Sequence, residues 1–188
     1  MITPFTPQAT ALPGCIELQL PHSTDLRGSF TKILNDEAFA LLGLSTDFAE
    51  VFCTVSQRGV IRGLHFQTPP HDHGKLVVCV HGRVQDVAVD LRRGSPSYGQ
   101  HLHIELSADQ GNALYLPAGL AHGFCTQSAT ATLLYFTTTR HAPEHDMGIA
   151  WDSAGIDWAV KAPILSERDS KHPALADFVS PFSYKTTA

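Results

Sequence analysis

The segment Gly59–Lys75, GVIRGLHFQTPPHDHGK, brings His65, His71 and His73 together with Arg62 and Lys75. Three chemistries fit these residue types. Closely spaced imidazoles are ligands for a transition metal. A histidine beside cations is poorly suited to a metal but well suited to an anionic substrate, and becomes a base when a carboxylate fixes its tautomer. Alternatively, the two prolines and Asp72 make TPPHDHG a turn whose histidines are simply solvated, and His65 is a satisfied core histidine.

These side chains must be held by β-structure, because strand signals dominate the chain. KLVVCVHGRVQDVAVDLRRGS contains two β-rich runs with a hairpin-like break at His81–Gly82–Arg83. In the second run, Val87, Val89 and Leu91 share one face and Asp86, Ala88 and Asp90 the other. HLHIELS alternates His101, His103 and Glu105 against Leu102, Ile104 and Leu106. ALYLPAG, GFCTQS and ATLLYFTTT follow, and RGSPSYG and SADQGN punctuate the runs as turns. Many short strands at such spacing predict an all-β sandwich or barrel. One short helix is predicted in NDEAFALLG, with Asn35 as N-cap, acidic residues in its first turn and Gly43 near its end. The proline-rich tail after Trp158 is expected to wrap the barrel surface. No linker or repeat divides residues 1–188, which read as one domain with an N-terminal arm and a C-terminal tail.

Composition excludes several classes. The chain has 188 residues, 43% apolar and 16% charged, which is globular rather than disordered composition. A net charge of −5 with scattered Lys and Arg provides no basic face for nucleic acid. No apolar run approaches the roughly 20 residues that span a bilayer. MITPFTPQATALPG lacks the charged and apolar regions of a signal peptide. Cys15, Cys53, Cys79 and Cys125 are far apart and read as reduced and buried. Together these features predict a soluble, cytoplasmic protein.

Cupin barrels carry the motif G-x5-P-x-G-x2-H-x3-N, and Gly111, Pro117, Gly119 and His122 occupy its positions, with Thr126 in place of Asn. The other cupin motif, H-x-H followed by Glu, is incomplete. His71 and His73 are present, but Leu and Val residues stand where the carboxylate is needed. An all-imidazole site still binds zinc, so a metal-dependent cupin, such as a dioxygenase or isomerase, stays open on the residues alone.

Longer segments resemble the dTDP-4-dehydrorhamnose 3,5-epimerase family: GVIRGLHFQTPPHDHGKLV, VAVDLRRGSPSYG, LYLPAGLAHGF, LLYFTTTRHAPEHDMGIAW and IDWAVKAPILSERD, running in order from about Pro21 to Asp169. The resemblance implies a metal-free cupin jelly roll with short peripheral helices, a homodimer and no cofactor. It implies epimerisation at C3 and C5 of a 4-keto-6-deoxyhexose on a nucleoside diphosphate. By matching positions, His65 is the base, Asp169 orients it, Lys75 faces the 4-keto oxygen and Tyr135 donates the proton on the other face. Arg62 and His122 match residues lining the sugar site, and Arg27 and Phe30 match a segment that holds the nucleotide. Arg168 is a candidate for the diphosphate or for a surface ion pair. Asp86 is a candidate partner for Lys75, or a surface residue.

The departures are also specific. His141 stands where a second aromatic is usual, Lys32 where Glu occurs and Glu50 where Gln is common. Lys32 and Glu50 fall in nucleoside-contacting segments, and changed charges there alter nucleotide preference. A non-catalytic nucleotide-sugar-binding cupin is the remaining alternative. His101, His103 and Glu105 read as a solvated face, Glu144 and His145 as an edge loop, Trp151 and Trp158 as packing residues, and Cys125 as core.

Overall fold

In the computed structural model, residues 4–185 are described. The strands are β1 (Thr6–Ala9), β2 (Ile16–Gln19), β3 (His22–Asp25), β4 (Gly28–Thr31), then α1 (Asp36–Leu41), β5 (Glu50–Gln57), β6 (Ile61–Gln67), β7 (Lys75–His81), β8 (Arg83–Asp90), β9 (His101–Ser107), β10 (Asn112–Leu116), β11 (Leu120–Thr126), β12 (Thr130–Thr137) and β13 (Asp146–Gly148). They form two antiparallel sheets, ordered β1-β2-β10-β7-β12-β5 and β13-β6-β11-β8-β9, plus the separate hairpin β3-β4. This is the expected all-β jelly roll. Among the described residues, no helix is long and apolar enough to cross a membrane.

Alternation along the strands creates three apolar layers. Val77, Leu114, Leu133 and Tyr135 from one sheet meet Val84, Ala88, Leu120 and Phe124 from the other in the interior. The outer face of the five-stranded sheet, including Val87, Val89 and Leu91, is covered by the C-terminal tail through Trp158, Phe178 and Phe182. The outer face of the six-stranded sheet packs under α1 through Leu18, Leu76, Val78 and Phe39. Strand β8 is therefore buried on both faces beyond Arg83, because both are covered. The N-terminal segment is more than an arm: β1 and β2 are strands of the larger sheet.

Helix α1 begins as predicted, with the Asn35 side chain accepting the Ala38 N–H. The break at Gly82 differs from a hairpin. Strand β7 lies in one sheet and β8 in the other, so Gly82 turns the chain across the sandwich. Its φ is +74°, and a Cβ there would lie 2.2 Å from the Thr130 carbonyl oxygen. All four cysteines are free, but Cys53 is exposed on edge strand β5 rather than buried.

A register shift in β6 has the greatest consequence for function. His122 of β11 pairs with His65, whereas Phe124 pairs with Arg62, so three steps on β6 oppose two on β11. This bulge turns Arg62 and His65 to the same side, although regular pleating would separate residues three apart. The strands approach so closely here that a Cβ on Gly63 would lie 2.6 Å from the Gly123 Cα, at a Gly63 φ of +141°. Gly63→Ala is therefore expected to cost about 1–3 kcal/mol of stability through overpacking and strain, measured by urea unfolding.

Candidate active site

At one end of the sandwich a cavity of about 280 Å³ opens between the sheets. One wall carries Arg62 and His65 from β6 and His122 and Phe124 from β11; the facing wall carries Lys75 from β7, Tyr135 and Thr137 from β12, and Phe52 and Thr54 from β5. Glu50, Phe66, Gln67, His73, His141, Asp146 and Arg168 complete the lining. Seven of the sequence-predicted residues thus line one cavity: Glu50, Arg62, His65, Lys75, His122, Tyr135 and Arg168.

Asp169 lies just behind that lining. The loop after Ile164 returns the chain to the barrel, where Val60 and Ile164 form a bridge. A 3-10 turn at Asp169–Lys171 then presents the buried carboxylate, which lies 2.6 Å from His65 Nε2. The second oxygen of Asp169 accepts the Gly63 N–H at 3.4 Å. Burial alone would raise the pKa of this carboxyl, but the hydrogen bond and charge of His65 outweigh it and hold the group below its usual range. An ionised carboxylate only accepts, so neutral His65 carries its proton on Nε2 and its lone pair on Nδ1.

A second His–Asp pair stands beside the first. His122, the cross-strand partner of His65, places Nε2 3.0 Å from both oxygens of Asp86. Asp86 is fully buried on the interior face of β8. It is not a surface residue, and its hydrogen-bond partner is His122 rather than Lys75. A buried carboxylate without such a donor would be costly.

Lys75 reaches over the cavity and donates to the His65 carbonyl at 3.3 Å. Burial of the ammonium lowers its pKa to about 8, against the opposing charges of Asp146 and Asp86. Tyr135 is almost wholly buried, stacked on Phe52 at 4.8 Å and edge-on to His122 at 6.0 Å. Burial pushes its phenol well above the usual tyrosine range, so the proton stays on oxygen. Arg62 is steadied by the Ser56 hydroxyl, to which its Nε donates at 3.0 Å.

The remaining expectations divide. Arg168 donates to Asp146 at 2.7 Å, with His141 on the other Asp146 oxygen at 3.2 Å, so its guanidinium is paired at the cavity edge. Glu50 accepts the His141 N–H at 3.0 Å at the mouth. Arg27, Phe30 and Lys32 are not brought to the cavity by this chain. Arg27 pairs with its neighbour Asp25, Phe30 is half exposed on the β3-β4 hairpin, and Lys32 sits by a groove beside α1.

The PPHDH turn splits as well. His71 is exposed and packs against His145, as a rim turn should. His73, in the loop two residues before Lys75, turns into the cavity instead. Its Nδ1 meets Gln67 and Thr139 at 3.2 and 3.3 Å, while its Nε2 has no hydrogen-bond partner among the described residues. Burial, then the charge of Lys75, lowers its pKa to about 3, so it is neutral at ordinary pH. The cupin-type ligand set His71, His73 and His122 therefore does not converge. Among the described residues, the group with metal-ligand spacing is His65, Asp169 and His172. Asp146 and Gln67 were also missed by sequence reasoning; the only signal for Asp146 was an acidic residue within an otherwise ordinary edge loop. His101, His103, Glu105, Cys125 and the tryptophan pair behave as expected, the last with Trp158 donating to the Trp151 carbonyl.

Comparison with known proteins agrees with this geometry. The family model described as dTDP-4-dehydrorhamnose 3,5-epimerase matches residues 9–177. A dTDP-4-dehydrorhamnose 3,5-epimerase of Pseudomonas aeruginosa is 43% identical over 171 residues, covering 89% of this chain and 94% of its own. The crystal structure of a 4-keto-6-deoxy sugar epimerase from the novobiocin cluster of Streptomyces spheroides superposes with a TM-score of 0.89 at 36% identity, over 94% of this chain and 90% of that one. A Legionella pneumophila dTDP-6-deoxy-D-glucose-3,5-epimerase, solved with dTDP-4-keto-L-rhamnose, gives a TM-score of 0.91 at 32% identity, over 96% and 99% of the two chains. With its motifs, its barrel and nearly its whole length in common with these proteins, the chain belongs to the dTDP-4-dehydrorhamnose 3,5-epimerase family.

Proposed function

We propose that this protein inverts C3, C5 or both of a nucleoside-diphosphate 4-keto-6-deoxyhexose by proton abstraction and reprotonation through an enolate. One observation carries the reading: a carboxylate-oriented histidine and a buried, protonated tyrosine face each other from opposite sheets across one cavity. Inversion requires this arrangement, because the proton must leave one face of the sugar and return to the other. His65 Nδ1 takes the proton α to the ketone, and Asp169 stabilises the imidazolium that forms. The Lys75 ammonium stabilises the enolate oxygen electrostatically in a desolvated setting. Tyr135 then delivers its proton to the opposite face. The ketone already activates both carbons, so the reading includes no cofactor.

The nucleotide lies towards Glu50, Phe52 and His141 at the mouth in this proposal. dTDP is the nucleotide in the relatives' names and the first to assay, with CDP- and GDP-linked sugars beside it because Glu50 alters charge there. A second copy of the chain completes the site. Strand β5 ends its sheet with Val51 and Val55 exposed, and the β3-β4 hairpin exposes Leu26, Arg27 and Phe30, side chains left without a role in one chain. The four free thiols support a reducing, cytoplasmic setting.

Three outcomes test this. In deuterated water, wild-type protein should incorporate deuterium at C3 or C5 and invert the centre. His65→Asn should lose at least ~10²-fold of that rate, whereas Tyr135→Phe should exchange without inverting; wild-type exchange by the histidine variant would sink the base assignment.

Lys75→Met should separate stability from function. A lysine whose folded pKa is depressed favours unfolding while it is charged, and this cost disappears only as pH rises from about 8 through the unfolded value of 10.5. At pH 7 the variant should therefore be more stable by about 1–3 kcal/mol, melt at a higher temperature, and lose exchange. Wild-type activity should fall as pH rises through about 8, as the clamp loses its charge.

Sedimentation of wild-type protein should show a dimer. Val55→Asp should shift it towards monomer and weaken nucleotide binding together; a wild-type monomer at micromolar concentration would remove the second copy from the proposal.

A further inference from the structure

One side chain beside the proton-transfer pair has no role in the reaction just proposed. His172 follows the 3-10 turn that carries Asp169 and places its Nε2 3.7 Å from Asp169 Oδ1. That nitrogen is buried and has no hydrogen-bond partner among the described residues. The ring lies against the backbone of β13, where a Cβ on Gly148 would be only 2.6 Å from the same nitrogen. On the other side it stands edge-on to His65, with ring centroids 5.6 Å apart. The Gly63 N–H holds Asp169 Oδ2, so Oδ1 is the oxygen that faces both imidazoles.

One donor atom from each of His65, Asp169 and His172 lies within 4.8 Å of the other two. Around a tetrahedral ion with bonds of about 2.0–2.1 Å, donor atoms sit about 3.3 Å apart. The 3.7 Å separation already fits, and the 2.6 Å one needs to open by less than an ångström. Two imidazoles and one carboxylate form a ligand set suited to first-row divalent ions. The Gly63 N–H supplies the outer contact that steadies the carboxylate. His65 is 28% exposed where it lines the cavity, which leaves a way in for a small ion.

We infer that His65, Asp169 and His172 form a binding site for a divalent transition cation such as zinc, and that its occupancy switches off the base. The logic follows from proton count. A neutral imidazole has one ring proton and one lone pair. In the metal-free pair the proton is on Nε2, hydrogen-bonded to Asp169, and Nδ1 holds the lone pair. A metal on Nε2 takes up a lone pair there, so the proton must move to Nδ1, and the nitrogen that faces substrate can no longer accept one. Asp169 is withdrawn from His65 by the same event. The cation is thus an inhibitor rather than a cofactor. The switching half of the inference rests on the proposed role of His65; the binding half does not.

Titration of metal-free protein with Co²⁺ tests the site without any substrate. Wild-type protein should bind one equivalent per chain and show the visible absorption of a four-coordinate ion. His172→Ala and His172→Gln should each weaken binding by more than about tenfold, with melting curves used to confirm that both variants are folded. Absence of that one-equivalent spectrum, or equal Co²⁺ binding by both folded variants, would overturn the site. In the exchange assay, Zn²⁺ should lower the wild-type rate at least tenfold, chelator should restore it, and the ratio of rates with and without Zn²⁺ should stay near one in His172→Ala. Co²⁺ binding with undiminished exchange would overturn the switch. Failure of metal-free wild-type protein to exchange any 4-keto sugar nucleotide would overturn the proposed function and the switch with it, while the cobalt titration still decides the site.

Discussion

The hydrogen bond between His65 and Asp169 joins residues 104 positions apart in the chain, and much of the molecule serves to make it. Asp169 arrives on the C-terminal tail, which is held on the outer face of the five-stranded sheet by Trp158 before it and by Phe178 and Phe182 after it. His65 arrives on a strand whose bulge turns it inward beside Arg62. Neither half does chemistry alone. A histidine without the carboxylate has no fixed tautomer, and a buried carboxylate without the histidine is an unpaired charge. Packing of the tail and construction of the His65–Asp169 pair are thus one event.

The rest of the cavity shows a consistent trade between stability and function. Lys75, Asp86 and Tyr135 sit where apolar residues would pack more favourably, and each is shielded differently. Asp86 is satisfied by His122, Tyr135 keeps its proton, and Lys75 remains a cation with its affinity for that proton reduced. The lysine alone is left largely uncompensated. The same low dielectric that penalises the ammonium strengthens its interaction with any negative charge brought beside it.

Much of this was legible in the residues. Period-two alternation located most of the long strands, Asn35 marked the helix start, and the spacing Gly111, Pro117, Gly119, His122 marked the barrel. Resemblance placed Lys75, Tyr135 and Asp169 before any geometry was known, and the cavity gathers the first two with His65 and the third behind it. The misreadings are equally local. Gly82 looked like a hairpin turn because a turn residue between two β-runs is the same whether the chain folds back within a sheet or crosses between two. His71 and His73 looked alike because both sit in a proline-flanked turn. The path of the loop separates them: His73, next to the start of β7, turns inward to meet Gln67 and Thr139, while His71 stays on the rim.

By itself the sequence determined the class of fold and the kinds of chemistry available, because periodicity, turn residues and side-chain types are local properties. Tertiary structure alone decided which groups meet. Arg62 and His65 share a face only because Gly63 and Gly123 let two strands close to a distance no Cβ would permit. Asp86 belongs to His122 only through the register of β8 and β11, and His172 reaches Asp169 only because the tail turns there against Gly148. Arg27, Phe30 and Lys32 mark the same limit from the other side: their residue types fit a nucleotide, but a single chain leaves them outside its cavity. Such pairings depend on register, bulges and the path of distant segments, and these are settled by packing over the whole chain rather than by any stretch of it.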